Sequence, residues 1–226
     1  PLTLAESTIR MIHREGEHAA AGRPARIIAK MNSLLEQAVI EALYEASKAG
    51  VQIDLIVRGI CSLRPGIPGV SENIRVRSVV GRFLEHSRVF CFANGGEDEV
   101  YCGSADWMPR NLFERCEVVF PIRDPQIRHR IRNEILAAYL ADTAKSRIET
   151  AAGNYPRVRA PEGKSFNAQD FLIRVAEGRD SVDGIPEPAW QPDVVVPVTA
   201  VVSAPAPPPK PRRRKAARKQ PQPAAS

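Results

Sequence analysis

Two strand-length apolar runs joined through one helix-length segment limit the fold more than any other feature of this chain. "RPARIIAKMN" (residues 23–32) reads as a strand entered at Pro24. "EQAVIEALYEASKAG" (residues 36–50) follows, with Val39, Ile40, Leu43, Tyr44 and Ala46 on one helical face and Gly50 at a C-terminal cap position. "VQIDLIV" (residues 51–57) then reads as a short buried strand. Strand, helix and strand with such short links close as a right-handed crossover between parallel strands, which sets an α/β class.

The remaining elements extend that sheet. "IRVRSVV" (residues 74–80) alternates as a strand. "HSRVFCFA" (86–93) and "EVYCGSA" (99–105) flank "NGGED", a strong turn signal, so they predict a hairpin. "RCEVVFPI" (115–122) reads as another strand. "DPQIRHRIRNEILAAYLADT" (124–143) reads as a helix opened by an Asp-Pro cap, and "SFNAQDFLIRVAEG" (165–178) as a short closing helix. Residues 4–21 carry Leu4, Ile9, Met11 and Ile12 among charges, the pattern of an amphipathic helix. The expected fold is a mixed, largely parallel sheet flanked by helices.

From about Gly184 the composition changes. Eleven of the twenty prolines lie in the last 41 residues, a segment that cannot bury a core and is expected to be disordered. Seven basic residues and no acid follow Asp193, enough to account for the whole net charge of +6. The high pI therefore describes a tail, which is either a solvated extension or a binder of polyanions. No apolar run reaches membrane-spanning length, and the charged first residues do not form a signal peptide. Cys61, Cys91, Cys102 and Cys116 are widely spaced, which fits reduced thiols in a cytoplasm and argues against a zinc site. A start at Pro1 is expected of a piece of a longer chain.

Chemistry is concentrated past the second strand, where the Gly/Pro-rich loop of residues 58–73 begins; ligands gather at this edge of parallel sheets. Between Arg58 and Arg88 there are six arginines, two acids and no lysine. Guanidinium forks match phosphate oxygens in pairs, so the stretch favours a polyanion over a metal cage, unless its arginines are spent on carboxylates. His86 is the one histidine outside an expected helix, and an imidazole titrating near about 6.5 can attack phosphorus or protonate a departing oxygen. "GSADWMPRN" (103–111) adds Ser104, Asp106, Arg110 and Asn111 at a strand end. It suits oxyanion binding, or else makes a tight turn plugged by Trp107. Phosphate-cradling glycine fingerprints of the P-loop or dinucleotide type are absent.

Three segments, "RPARIIAKMNSL", "DLIVRGICSLRPGIPGVSENIRVRSVVGRFLEHSRVF" and "VYCGSADWMPRNLFERCEVVFPI", closely resemble the C-terminal region of bacterial polyphosphate kinase of the histidine-phosphorylated type. The resemblance runs from the first helix to about Glu177 and leaves out the Pro-rich tail. It implies a phospholipase-D-like half: residues 1–22 would end the preceding half, 23–183 would form the second half, and 184–226 the tail. It implies reversible transfer of the ATP γ-phosphate to inorganic polyphosphate through a phosphohistidine that belongs to the first half, together with the Mg²⁺-binding arginines. His86 would be the second-half histidine facing that phosphohistidine. Arg58, Arg88, Ser104, Asp106, Arg110 and Arg115 would line the path of ATP phosphate and polyphosphate. No residue here is expected to hold metal. The family implies a homo-oligomer in full-length form and a cytoplasmic location, with membrane association left open.

The phospholipase-D pattern is His-x-Lys with a later Gly-Ser-x-Asn. Here it reads His86-Ser87-Arg88 and Gly103-Ser104-Ala105-Asp106, departures that disfavour phosphodiester hydrolysis. Two alternatives stand beside the kinase reading: a phosphodiesterase that completes its site by dimerisation, and a non-catalytic polyanion-binding module.

Overall fold

The computed structural model describes residues 3–160 and 164–188; the basic tail lies outside them. The crossover unit forms as its pattern requires: β1 (Arg26–Met31), α2 (Gln37–Lys48) and β2 (Gln52–Val57), after an opening helix α1 (Leu4–Ala20). β3 (Ile74–Val79), β4 (Arg88–Phe92), β5 (Glu99–Gly103) and β6 (Val119–Pro121) follow, then a helical segment from Pro125 to Ala141. β7 (Ser146–Ile148) and α5 (Ala168–Ala176) complete the described chain.

The seven strands form one sheet in the order β6-β5-β4-β1-β2-β3-β7. A mixed sheet with flanking helices is as the sequence implies, but its parallel share is smaller than expected. Only the pairs β1–β2 and β2–β3 are parallel; β1–β4, β4–β5, β5–β6 and β3–β7 are antiparallel. The cause is local: after β3 the chain returns without a crossover helix, so β4 runs back beside β1 and the hairpin and β6 continue that sense.

Side-chain alternation divides the sheet into two buried faces. Ile27, Ala29 and Met31 of β1 pack with Ile53, Leu55 and Val57 of β2 under α1 and α2. Ile12 of α1 is fully buried in that layer, so the opening helix closes one face of this sheet. Ile28, Ile56 and Val79 face the other way, beneath Leu136, Tyr139 and Leu140 and beneath Phe171 of α5. The 125–141 segment is helical as expected, but a wider, π-type turn spans Ile131–Leu136 between α3 (Pro125–Arg130) and α4 (Ala137–Ala141). Asp124 caps its start by accepting the N–H groups of Gln126 and Ile127 at 2.8 and 3.0 Å.

Coverage on both faces explains the fate of the strand charges. Asp54 is fully buried and pairs with Arg26 at 2.6 Å and Arg75 at 2.8 Å. Arg77, equally buried, donates to the Asp142 carbonyl and to Ser146 Oγ. Burial lowers the pKa of its guanidinium to about 10, against the pull of Asp142 and Asp54. Arg75 is thus held in an ion pair with Asp54 and Arg77 in buried hydrogen bonds, and neither lines an open anion channel.

Candidate active site

With this topology, the carboxyl ends of β1 and β2, the amino end of β4 and the carboxyl end of β5 meet at one edge of the sheet. Together they bring five polar residues. Asn32 follows β1, Arg58 follows β2, His86 and Arg88 open β4, and Asp106 lies three residues past β5. Gly59 lets the β2 loop press onto Asn32. A Cβ there would come within 2.8 Å of the Asn32 carbonyl oxygen, which the Gly59 N–H reaches at 2.7 Å.

Asn32 is the hub. Its backbone N–H and its Nδ2 donate to Asp106 Oδ1 at 2.6 and 3.0 Å. Asp106 in turn accepts a bidentate pair from Arg88, Nε at 3.2 Å and Nη2 at 3.0 Å. A carboxylate on one side obliges the Asn32 amide to turn its oxygen to the other. There Oδ1 accepts from Arg58 Nε at 2.6 Å and lies 3.3 Å from His86 Nδ1. Since Oδ1 can only accept, Nδ1 must carry the proton, and Nε2 is left as the basic nitrogen. Among the described residues Nε2 has no protein partner, and His86 is exposed.

The backbone under His86 is held from below. Lys30, on the helix-covered second face and 1% exposed, reaches Glu85 Oε2 at 3.0 Å and Ser87 Oγ at 2.8 Å, so one ammonium grips the residues on both sides of His86. Burial lowers the Lys30 pKa while Glu85 opposes that shift. Gln169 of α5 donates to Glu85 Oε1, and its amide exchanges hydrogen bonds with the backbone of Phe83 at 3.1 and 2.9 Å. Tyr139 offers its ring to Lys30, 4.9 Å from the centroid.

Arg58, His86, Arg88 and Asp106 are therefore brought together, as the sequence leads one to expect. Arg58 commits only Nε, to Asn32 and to the Glu85 carbonyl at 2.8 Å; its terminal nitrogens have no protein acceptor among the described residues. Arg88 also donates to the His86 carbonyl at 2.9 Å. Ser104 and Arg115 belong to a different network centred on Glu117. Ser104 Oγ donates to it, Asn111 Nδ2 does so at 2.5 Å, and Arg115 lies 3.9 Å away. Arg110 is exposed on the π-type turn Arg110–Glu114. Trp107 is the plug that the turn reading requires. It is 1% exposed and stacks on Phe90 at 5.0 Å, and its carbonyl accepts the N–H groups of Leu35 and Glu36. Its anchorage is what aims the neighbouring Asp106 at Asn32.

The family model for the polyphosphate kinase C-terminal domain 2 matches residues 1–169. The chain belongs to that polyphosphate kinase family. It is 54% identical over 173 residues to the polyphosphate kinase of Paraburkholderia phytofirmans, covering 76% of this chain and 25% of that protein. Against the enzyme of Neisseria gonorrhoeae it is 57% identical over 165 residues, 73% of this chain and 24% of the relative. The crystal structure of polyphosphate kinase from Porphyromonas gingivalis superposes with a TM-score of 0.74 at 42% identity, over 78% of this chain and 27% of that one. The chain thus spans about a quarter of the length of the curated relatives it matches.

Within this polyphosphate kinase domain the sequence did not single out Asn32, Lys30, Glu85 or Gln169 as site residues. A magnesium ion, which the family resemblance implies, favours carboxylate and water oxygens. The three carboxylates near this edge are committed, Glu85 to Lys30 and Gln169, Asp106 to Asn32 and Arg88, and Glu117 to Ser104 and Asn111, so these residues do not fit a magnesium site. Among the described residues, no helix is long and apolar enough to cross a membrane.

Proposed function

We propose that this chain supplies the second half of a phosphoryl-transfer site that moves the γ-phosphate of ATP to inorganic polyphosphate, by way of a phosphohistidine carried on another part of the full-length protein. One observation carries the reading. A half-buried Arg58 keeps its Nη fork unspent beside an imidazole whose Nε2 is unpartnered, and both are fixed by the same Asn32 oxygen. Such a pair is suited to a phosphoryl group. The fork takes two equatorial oxygens, and Nε2 accepts or returns a proton at a third or at the oxygen that departs.

Little covalent chemistry is asked of this half. Phosphoryl transfer is limited mainly by positioning and by neutralising the charge on the transferred group. Arg58 supplies charge, Asn32 fixes its direction, and Arg88 with Asp106 keeps Asn32 from turning over. ATP or ADP and the growing polyphosphate are the ligands on this reading, with assembly into a homo-oligomer and magnesium left to the complete enzyme.

Incubating the 226-residue chain with γ-labelled ATP tests the division of labour. The expected result is no acid-labile phosphoprotein, since His86 orients phosphate and does not carry it. Robust labelling that disappears in a His86→Gln variant would overturn that assignment.

A further inference from the structure

A cleft of about 310 Å³ lies one strand beyond the site, between the end of β3 and β7. Ser78 of β3 pairs with Arg147 of β7, and Arg147 in turn bridges Arg157 in antiparallel register. Laterally paired residues project from the same face of a sheet, so Ser78, Arg147 and Arg157 form one strip across the cleft. Lys145, two residues before Arg147, adds a third cation to its lining, and no carboxylate lines it among the described residues. All three basic residues are exposed.

Like charges set directly opposite across strands are destabilising, and among the described residues no carboxylate is paired with either arginine. Among the described residues, Arg147 donates to a neutral acceptor, the Tyr155 carbonyl at 2.9 Å. The nearest acid along β7, Glu149, is buried and spends a carboxyl oxygen on the Tyr155 hydroxyl at 2.7 Å. Burial raises its pKa, while the Tyr155 hydroxyl and Arg64 oppose the shift. An arginine pair kept without a partner anion is a feature that a bound anion resolves.

The cleft also continues the site. The Ser78 hydroxyl lies 3.5 Å from the backbone carbonyl of Arg58, so one wall of the cleft abuts the residue whose fork faces the reacting phosphate. From β2 across β3 to β7 is two strand spacings, about 10 Å. That is too far for the phosphate beside His86, but within reach of later units of the same chain.

We propose that the Lys145–Arg147–Arg157 cleft is a second anion site, which holds an internal stretch of a linear phosphate chain whose end lies at His86. The proposal rests on the phosphoryl-transfer reading for the identity of its ligand. Its guanidinium pair would take successive phosphate units, with Lys145 as a point charge beside them.

The test compares the 226-residue chain with its Arg147→Gln/Arg157→Gln variant. Binding is measured for three probes at one fixed salt concentration: long-chain polyphosphate, tripolyphosphate and ATP. The double variant is expected to bind the long chain at least about tenfold more weakly, from loss of two charge-assisted contacts, with tripolyphosphate and ATP unchanged. A charge-matched control, Arg10→Gln/Arg23→Gln on exposed positions elsewhere, should lose far less. Without ligand the cleft variant should melt no lower than the parent, because a repulsive pair has been removed. Unchanged long-chain binding, or an equal loss in the control, would overturn the cleft. If ATP and tripolyphosphate fail to bind the parent while the long chain still binds through the cleft, the phosphoryl-transfer reading fails and the cleft stands.

Discussion

Replacing His86 by glutamine in a full-length polyphosphate kinase carrying this sequence should lower the rate of polyphosphate synthesis by roughly 10²- to 10⁴-fold, the usual worth of a positioned general acid–base group. Glutamine keeps a polar side chain of similar reach and can still donate to the Asn32 oxygen, so the fold and the Asp106 network should survive. What it cannot do is exchange a proton at a second nitrogen. The loss is therefore expected in kcat, with KM for ATP shifted much less, because Arg58 still takes the phosphate. Replacing Arg58 should lower kcat and also raise KM for ATP, since its charge serves both phosphate binding and transfer. Near-normal synthesis by the His86 variant would mean that the imidazole is only a surface residue at the mouth of β4.

The largest effect on stability is expected at Asp106. It is 5% exposed and accepts from the Asn32 backbone, the Asn32 side chain and two nitrogens of the Arg88 guanidinium, Nε and Nη2. Asp106→Ala removes the acceptor and leaves a largely buried guanidinium with only the His86 carbonyl, and the Asn32 backbone N–H without a partner. Breaking a buried pair from one side costs about 3–5 kcal/mol. Denaturant unfolding of the 226-residue chain should show that loss as a lower midpoint at unchanged slope. Asp106→Asn should cost less, since an amide oxygen still meets the Asn32 N–H while its NH₂ opposes Arg88. An Asp106→Ala unfolding free energy within about 1 kcal/mol of the parent would show that the Asn32 hub stands without its carboxylate.

Much of this was legible in the sequence, for reasons that can be named. The crossover unit could be read because the apolar runs at 26–31 and 52–57 and the helical face between them admit one arrangement. The hairpin could be read because "NGGED" is a turn in almost any context. Arg58, His86, Arg88 and Asp106 could be placed together through the family resemblance, and the structure brings them to one edge of the sheet. The hub could not be read. Asn32 and Lys30 sit in a run whose strand pattern is complete without them, and a lysine in a strand is expected to face water. It is buried here because helices cover both faces of the sheet, a tertiary fact that alternation alone does not carry. The same coverage turned Arg75 and Arg77 inward to Asp54 and Asp142. The three-residue strand β7 is too short to show a period, so the arginine pair it builds with Arg157 was invisible in one dimension.

The central claim is that Asn32 holds His86 with its proton on Nδ1 and leaves Nε2 to meet phosphate. Long-range ¹H–¹⁵N correlation on the ¹⁵N-labelled 226-residue chain, at about pH 8 where an imidazole is ordinarily neutral, reads this directly. The expected result is the Nδ1–H tautomer for His86 and, on adding tripolyphosphate, a shift of its Nε2 signal that His13, His18 and His129 do not share. An Nε2–H tautomer, or a His86 signal indifferent to tripolyphosphate, would contradict it.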